Sequence, residues 1–279
     1  MYKRQSLFQG FDLKPVINNF EQARLWLEGT KNAPRRPASA IHIDTGMNRL
    51  GFDHEGIERL TRNSRMMQDL VPRLIMSHLA CAPTPKHPMN GEQLARFKQC
   101  AARFPVTDLS LVNSAGIALG KPYHFQMVRA GLGLYAKDVS DDPTQNITEN
   151  VISLMAPVLQ IRTLKAGDTI GYDATFKADK EMKLAIVGVG YADGLPRALS
   201  AASGQSGGHA IMQGKAVPIV GRVSMDLTAL DVSALKSVKL GHWADFLGED
   251  LHIIAQKAGT ISYELLTNLG TRCRREYFR

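Results

Sequence analysis

Long apolar runs are missing from this sequence. No stretch approaches the ~20 consecutive apolar residues that a membrane-crossing helix needs. The N-terminus, Met1 to Ser6, carries basic residues with no apolar segment behind them, which argues against a secretory signal. Cysteine is scarce. Cys81, Cys100 and Cys273 are odd in number and far apart, with no C-x-x-C pair. This disfavours a disulfide framework or a zinc site, and a reducing cytoplasm is the expected location. No G-x-G-x-x-G opens any helical pattern, which disfavours a dinucleotide fold. The net charge of +8 raises nucleic-acid binding, but lysine and arginine are scattered. The one dense basic cluster is terminal, at Arg272, Arg274, Arg275 and Arg279, and no helix-turn-helix, zinc-finger or RNP-like pattern accompanies it. The charge therefore points to anionic small molecules.

What is present fits a folded chain of one large or two medium domains: 279 residues, 44% hydrophobic and 22% charged, enough to bury a sizeable core. In the first half, apolar strands alternate with amphipathic helices. Strands are expected at 15–18, 39–43, 74–78, 109–113 and 126–129. Helices are expected at 21–27, 57–67 and 91–103, with a short one from Ser114. Strand starts near residues 40, 74 and 109 recur at βα-unit spacing, about every 35 residues. Such units make a parallel barrel or a doubly wound sheet. Polar and small residues stand at the C-terminal ends of these strands: Asp44 with Arg49, His78, Asn113 with Ser114, and Arg129 with Gly131. In a parallel barrel that end carries the chemistry.

The character changes after Asp138-Val139-Ser140-Asp141-Asp142-Pro143. From Val151 onward short strands predominate, with a hairpin turn at Gln213-Gly214 and a closing helix near Tyr263 to Leu269. The expected division is residues 1–140 as an α/β domain and 141–279 as an all-β domain.

The segment Asp44-Thr45-Gly46-Met47-Asn48-Arg49-Leu50-Gly51 closes an apolar run and sets a lone arginine between glycines. Arg49 offers a planar fork of donors suited to a carboxylate or phosphate. In its wording this segment resembles the fifth barrel strand and following loop of alanine racemases. The resemblance continues in order through S-H-L-A, V-N-S-A and M-V-R-A-G. It then runs through Gly171-Tyr172-Asp173-Ala174-Thr175-Phe176, the Tyr191 segment G-V-G-Y-A-D-G-L-P-R, Gly221-Arg222-Val223-Ser224-Met225-Asp226 and Ile261-Ser262-Tyr263-Glu264. Eight motifs span almost the whole chain.

The resemblance implies an isomerase that uses pyridoxal 5'-phosphate to interconvert L- and D-alanine for peptidoglycan, as a homodimer with shared sites and no metal. Racemisation removes the α-proton from one face and returns one to the other, so two bases are needed. On this resemblance Tyr172 is the base for the L-enantiomer, a role that requires surroundings that lower a tyrosine's usual pKa of ~10. Arg129 faces the pyridine nitrogen and His78 positions it. Ser114, Gly131, Leu132 and Tyr263 form the phosphate cradle. Arg49 and the backbone of Met225 meet the substrate carboxylate, and Tyr191 is the second tyrosine on the substrate side. Tyr172 and Met225 come from the partner subunit.

Four substitutions and one missing segment depart from the family pattern. His42 stands where many members have a carbamylated lysine. Asp173 replaces the glycine usual after the catalytic tyrosine. Tyr135-Ala136 replaces Tyr-Gly, and Cys273 stands where a tyrosine is common. The segment A-x-(V/A)-K-A-x-A-Y-G-H-G, which carries the Schiff-base lysine, is not among the 279 residues. The expectation is an incomplete TIM-type barrel, strands three to eight, followed by the racemase β-domain. Turnover by the chain in isolation is expected to be low. The competing readings are a broader amino-acid racemase, for serine for example, and a non-catalytic remnant.

Overall fold

The computed structural model describes residues 5–105, 107–137, 139–142, 144 and 148–278. Asp138 and Pro143, which flank the expected domain boundary, lie outside the described residues, as do Met1 to Arg4 and Arg279. The chain divides into two compact units, residues 1–134 with 138–147, and residues 135–137 with 148–279.

The first unit runs α1 (Gln5–Gly10), β1 (Val16–Ile17), α2 (Phe20–Gly29), β2 (Ser39–His42), α3 (His54–Arg62), α4 (Ser64–Leu70), β3 (Pro72–Met76), α5 (Pro88–Ala101), β4 (Asp108–Ser110) and α6 (Ser114–Ile117). Its four strands form a parallel sheet in the order β1-β2-β3-β4, with Ile17 opposite Ile41, Ile41 opposite Ile75 and Ile75 opposite Leu109. Every residue of β2 is buried, as a strand covered on both faces requires. Ile17, Ile41, Ile43, Ile57, Leu60, Ile75, Phe97 and Leu111 pack together beneath the helices, and Phe20 meets Phe52 edge to face. The helices start where short polar side chains cap them. Asn19 accepts from the Gln22 N–H and Asp53 from the Gly56 N–H.

Two elements differ from the sequence expectation. The helix expected at 57–67 is two helices hinged at Asn63. The Asn63 backbone N–H bonds to Leu60 at the end of α3, while its side chain accepts from the Met66 N–H and starts α4. One residue thus stops the first helix and caps the second. The strand expected at 126–129 is reduced to one parallel bridge between Arg129 and Asn113. Before it, Phe125 sits at φ 51°, and the side-chain oxygen of Gln126 takes the Leu109 N–H that a strand carbonyl would otherwise accept.

The second unit contains β5 (Met155–Leu164), β6 (Thr169–Ile170), β7 (Phe176–Lys177), β8 (Met182–Val187), β9 (His209–Met212), β10 (Lys215–Pro218), β11 (Thr228–Asp231), β12 (Trp243–Asp245), α7 (Leu251–Lys257) and α8 (Ser262–Asn268). Six strands form a sheet in the order β10-β9-β12-β5-β8-β11, every pairing antiparallel. Gln213 and Gly214 join β9 to β10 with φ 52° and 72°. Two successive positive φ values are what a two-residue type I′ hairpin demands. The separate hairpin β6–β7 carries Tyr172 at its tip. Strand β12 and helix α7 were not expected from the sequence. Among the described residues no helix is long and apolar enough to cross a membrane.

Candidate active site

In the first unit, the C-terminal ends of the parallel strands gather His42, Arg49, His78, Ser114 and Arg129. The Arg129 guanidinium is held by neutral acceptors alone. One terminal nitrogen donates to Ser110 Oγ at 2.6 Å; the other donates to the Ser77 and Leu111 carbonyls at 2.7 and 3.2 Å and to His78 Nδ1 at 3.2 Å. No carboxylate pairs with it among the described residues, and its Nε–H has no acceptor there. Burial lowers its pKa. Because an arginine has only donors to offer, His78 Nδ1 must accept, which puts the ring proton on Nε2. Burial first, then the Arg129, Arg49 and His42 charges, push the His78 pKa down to about 4, so the ring is neutral near pH 7.

His42, at the end of β2, is also neutral. Its Nδ1–H donates to Asn18 Oδ1 at 2.8 Å, and the Asn18 amide is oriented by its own donation to Val16 O and Gln22 Oε1. The ring therefore holds its proton on Nδ1. Burial, then Arg129, lower its pKa.

Arg49 follows a turn built by Asp44, whose Oδ1 accepts three successive backbone N–H groups, from Gly46, Met47 and Asn48. With that carboxylate committed to the backbone, Arg49 is exposed and makes no ion pair among the described residues. Ser114 is 4% exposed, and its Oγ accepts from the Gly131 and Gly133 N–H groups at 2.8 and 3.0 Å. Its own proton has no acceptor among the described residues. Leu132, between these two glycines, is buried.

A supporting residue escaped the sequence reading. Gln93 of α5 is fully buried; its amide nitrogen donates to Thr45 Oγ1 and the His78 carbonyl, and its oxygen accepts from the Ala80 N–H. Thr45 in turn shares a hydrogen bond with Ser77. The Arg49 turn and the His78 strand end are thereby tied to one helix.

In the second unit, Tyr191 and Met225 lie on two segments zipped together. The Tyr191 N–H donates to Ser224 O and the Ala192 N–H to Met225 O, each at 3.0 Å. Gly190 permits this approach, since a Cβ there would sit 2.3 Å from Ser224 O and 2.4 Å from Met225 O. The Met225 N–H has no acceptor among the described residues. Tyr172, 69% exposed, heads a turn in which Gly171, Asp173 and Ala174 all have positive φ. The Asp173 carboxylate pairs with Arg222 at 2.6 Å, tying this turn to the segment that leads to Met225. Tyr263 lies in the first turn of α8; no hydrogen bond joins it to Tyr172, Tyr191 or Met225 among the described residues.

Comparison with known proteins places this arrangement. Residues 3–138 match the alanine racemase N-terminal domain model and residues 151–277 the alanine racemase C-terminal domain model. The alanine racemase of Rhodospirillum rubrum is 42% identical over 269 residues, covering 95% of this chain and 70% of that protein. The catabolic alanine racemase of Agrobacterium fabrum is 41% identical, covering 96% of this chain and 68% of that one. Among solved structures, the Bartonella henselae alanine racemase, which carries covalently bound pyridoxal phosphate, superposes with a TM-score of 0.90 at 32% identity, over 100% of this chain and 77% of that one. With a TIM-type α/β unit followed by a β-domain, and both family domains matched in order, the chain belongs to the alanine racemase family.

Proposed function

We propose that this chain interconverts L- and D-alanine with pyridoxal phosphate, as one subunit of a cytoplasmic homodimer that supplies D-alanine for peptidoglycan. The observation that carries the reading is the half-buried Arg129 guanidinium, held by neutral acceptors with its Nε–H unused among the described residues. That donor suits an unprotonated ring nitrogen, and arginine cannot surrender a proton to it. Ser114 fits the other end of the cofactor. Its oxygen is occupied by two backbone N–H groups, which leaves the hydroxyl proton for a phosphate oxygen. The Leu132 N–H and, on the family resemblance, the Tyr263 hydroxyl would complete the cradle, with Gly131 acting through its N–H on Ser114 Oγ.

When bound, pyridoxal phosphate supplies the electron sink that makes the α-proton of alanine removable. The residues of this chain do the rest. Neutral His78 accepts from Arg129 and fixes its plane. Arg49 and the free Met225 N–H would bind the substrate carboxylate, which orients the α-carbon. Tyr172 would take the proton of L-alanine, with Tyr191 beside the substrate. Tyr172 and Met225 would reach the site of the second copy, which makes the dimer the catalytic unit. Alanine is favoured over serine because the relatives described are alanine racemases. The unpaired cysteines suit a reducing compartment.

The test takes two forms, because no lysine of the 279 residues stands in the family's lysine motif. Titration of the 279-residue chain with pyridoxal phosphate, followed by absorbance, examines the cradle alone; saturable binding that Ser114→Ala weakens is expected. The same chain preceded by a lysine-bearing family segment should hold the cofactor covalently after borohydride reduction and convert L-alanine to D-alanine by circular dichroism. Cofactor capture without racemisation of alanine would refute the proposal.

A further inference from the structure

We propose that Arg272, in the tail after α8, is a positioning residue for the reaction: it clamps the Tyr191 segment to the Met225 segment. The inference rests on the reading that Tyr191 and Met225 meet the substrate. The two segments are joined by backbone hydrogen bonds at one edge, yet Tyr191 and Met225 remain 43% and 54% exposed. Arg272 links them a second time. Its Nε lies 3.5 Å from Asp193 Oδ1 and a terminal nitrogen lies 2.6 Å from Asp226 Oδ1. Asp193 and Asp226 are the residues two after Tyr191 and one after Met225. The other oxygen of Asp193 accepts the Gly190 N–H at 3.0 Å. A continuous relay therefore runs from the backbone before Tyr191, through two carboxylates and one guanidinium, to the residue after Met225.

The path of the tail supports this independently. Gly194, at φ 105°, lies so near the end of α8 that an added Cβ would be 2.6 Å from Asn268 O, and the Cys273 thiol reaches Asp193 O at 3.8 Å. The chain from 268 to 273 is thus anchored against 193–194 on both sides of Arg272. A planar guanidinium can face two carboxylates at once, whereas a lysine ammonium is a point charge on a flexible stem. The Arg272 and Asp226 side chains are about half exposed, so their pair adds little to folding stability. A role in placing the substrate-side residues and a role in stability therefore predict different readouts.

The experiment compares Arg272→Ala, Arg272→Lys and Tyr191→Phe in the pyridoxal-phosphate-loaded dimer of the chain preceded by the lysine-bearing family segment. Arg272→Ala should raise KM for alanine and lower kcat, together about tenfold in kcat/KM, since displacements approaching 1 Å cost up to about a hundredfold. Its melting temperature and cofactor affinity should stay close to the parent's, and Arg272→Lys should recover part of the loss. In protein labelled with 13C-methyl methionine, the Met225 resonance, assigned through Met225→Leu, should shift or broaden in Arg272→Ala; this readout needs no turnover. An unchanged Met225 signal with unchanged kinetics overturns the proposal. So does a loss of activity that only tracks a lowered melting temperature or lost cofactor. If Tyr191→Phe is kinetically silent, the placing of Tyr191 at the substrate fails instead, and the methyl signal still reports on the clamp.

Discussion

Gly190→Ala is the sharpest test of the substrate-side geometry. At φ −151° the backbone of Gly190 is ordinary extended chain, so alanine meets no conformational penalty there. The obstacle is steric. The new methyl carbon would fall 2.3 Å from Ser224 O, 2.4 Å from Met225 O and 2.5 Å from Met225 C, and all three are backbone atoms that no rotamer change can move. Contacts of this kind below 3.0 Å essentially never occur, so the Ser224–Met225 backbone must retreat by about 0.7 Å at least. That movement strains the hydrogen bonds from the Tyr191 and Ala192 N–H groups, both 3.0 Å long. Overpacking of this size costs about 1–3 kcal/mol of stability. A displacement near 1 Å between groups that jointly hold a substrate costs up to about a hundredfold in rate. The expected result is a fall of one to two decades in kcat/KM, about 10- to 100-fold, with a modest drop in melting temperature. The assay, on the chain preceded by the lysine-bearing family segment, is racemisation of L-alanine followed by circular dichroism, beside differential scanning calorimetry. Activity within twofold of the parent, with an unaltered melting temperature, would refute the claim that Tyr191 and Met225 act as one packed unit.

Other outcomes follow from the same geometry. Tyr172→Phe should cut kcat/KM sharply in both directions, because a group that takes the proton of L-alanine must also return one when L-alanine is formed, while melting temperature and cofactor content stay intact, the residue being 69% exposed; rates unchanged from the parent would place the base elsewhere. Arg49→Ala should raise KM for alanine by about one to two decades, the worth of a charged hydrogen bond at roughly 1.5–3 kcal/mol, and an unmoved KM measured by initial rates would remove it from the substrate. His78 gives a pH prediction. Its folded pKa of about 4 lies below the ordinary value of 6.5, so between these values the unfolded chain binds the proton and the folded chain does not. Its contribution is therefore complete above pH 6.5 and is lost progressively as pH falls toward 4. His78→Gln, which keeps an acceptor for Arg129, should flatten the dependence of melting temperature on pH across that window, and a slope identical to the parent's would contradict the assignment.

Much of this molecule could be read from local patterns. Strand β2 was expected at 39–43 and runs Ser39–His42, because Ser39, Ala40, Ile41 and Ile43 are small or apolar and suit a sheet buried on both faces. His78, Ser114 and Arg129 drew notice in the sequence because each follows an expected strand in a run of βα spacing, although the one expected at 126–129 is a single bridge, and the motif order pointed to the family. What was hidden depends on contacts distant in sequence. Gln93 reads as a polar position on an amphipathic helix, yet it is fully buried and meets Thr45, 48 residues away. Arg272 reads as one of a run of surface cations, and its partner Asp226 is 46 residues away. The break at Asn63 was missed because asparagine is tolerated inside a helical pattern, while its double use as stop and cap is a matter of backbone conformation that periodicity does not encode.

The Asp173–Arg222 pair makes two positions of this chain interdependent. Asp173 occupies a left-handed backbone conformation at φ 58°, which glycine adopts freely and which costs a non-glycine residue about 1 kcal/mol. The ion pair with Arg222, two-thirds exposed on the aspartate side, is worth about as much, up to ~1 kcal/mol. Removing the aspartate alone gives back the backbone cost and loses the pair, so Asp173→Gly is close to neutral for folding. Removing the arginine alone leaves the backbone cost with nothing opposite it. The effect of a change at 173 therefore depends on what stands at 222, and the order in which such substitutions arise is constrained. The present aspartate gives Arg222 a partner one residue from the proposed base, Tyr172.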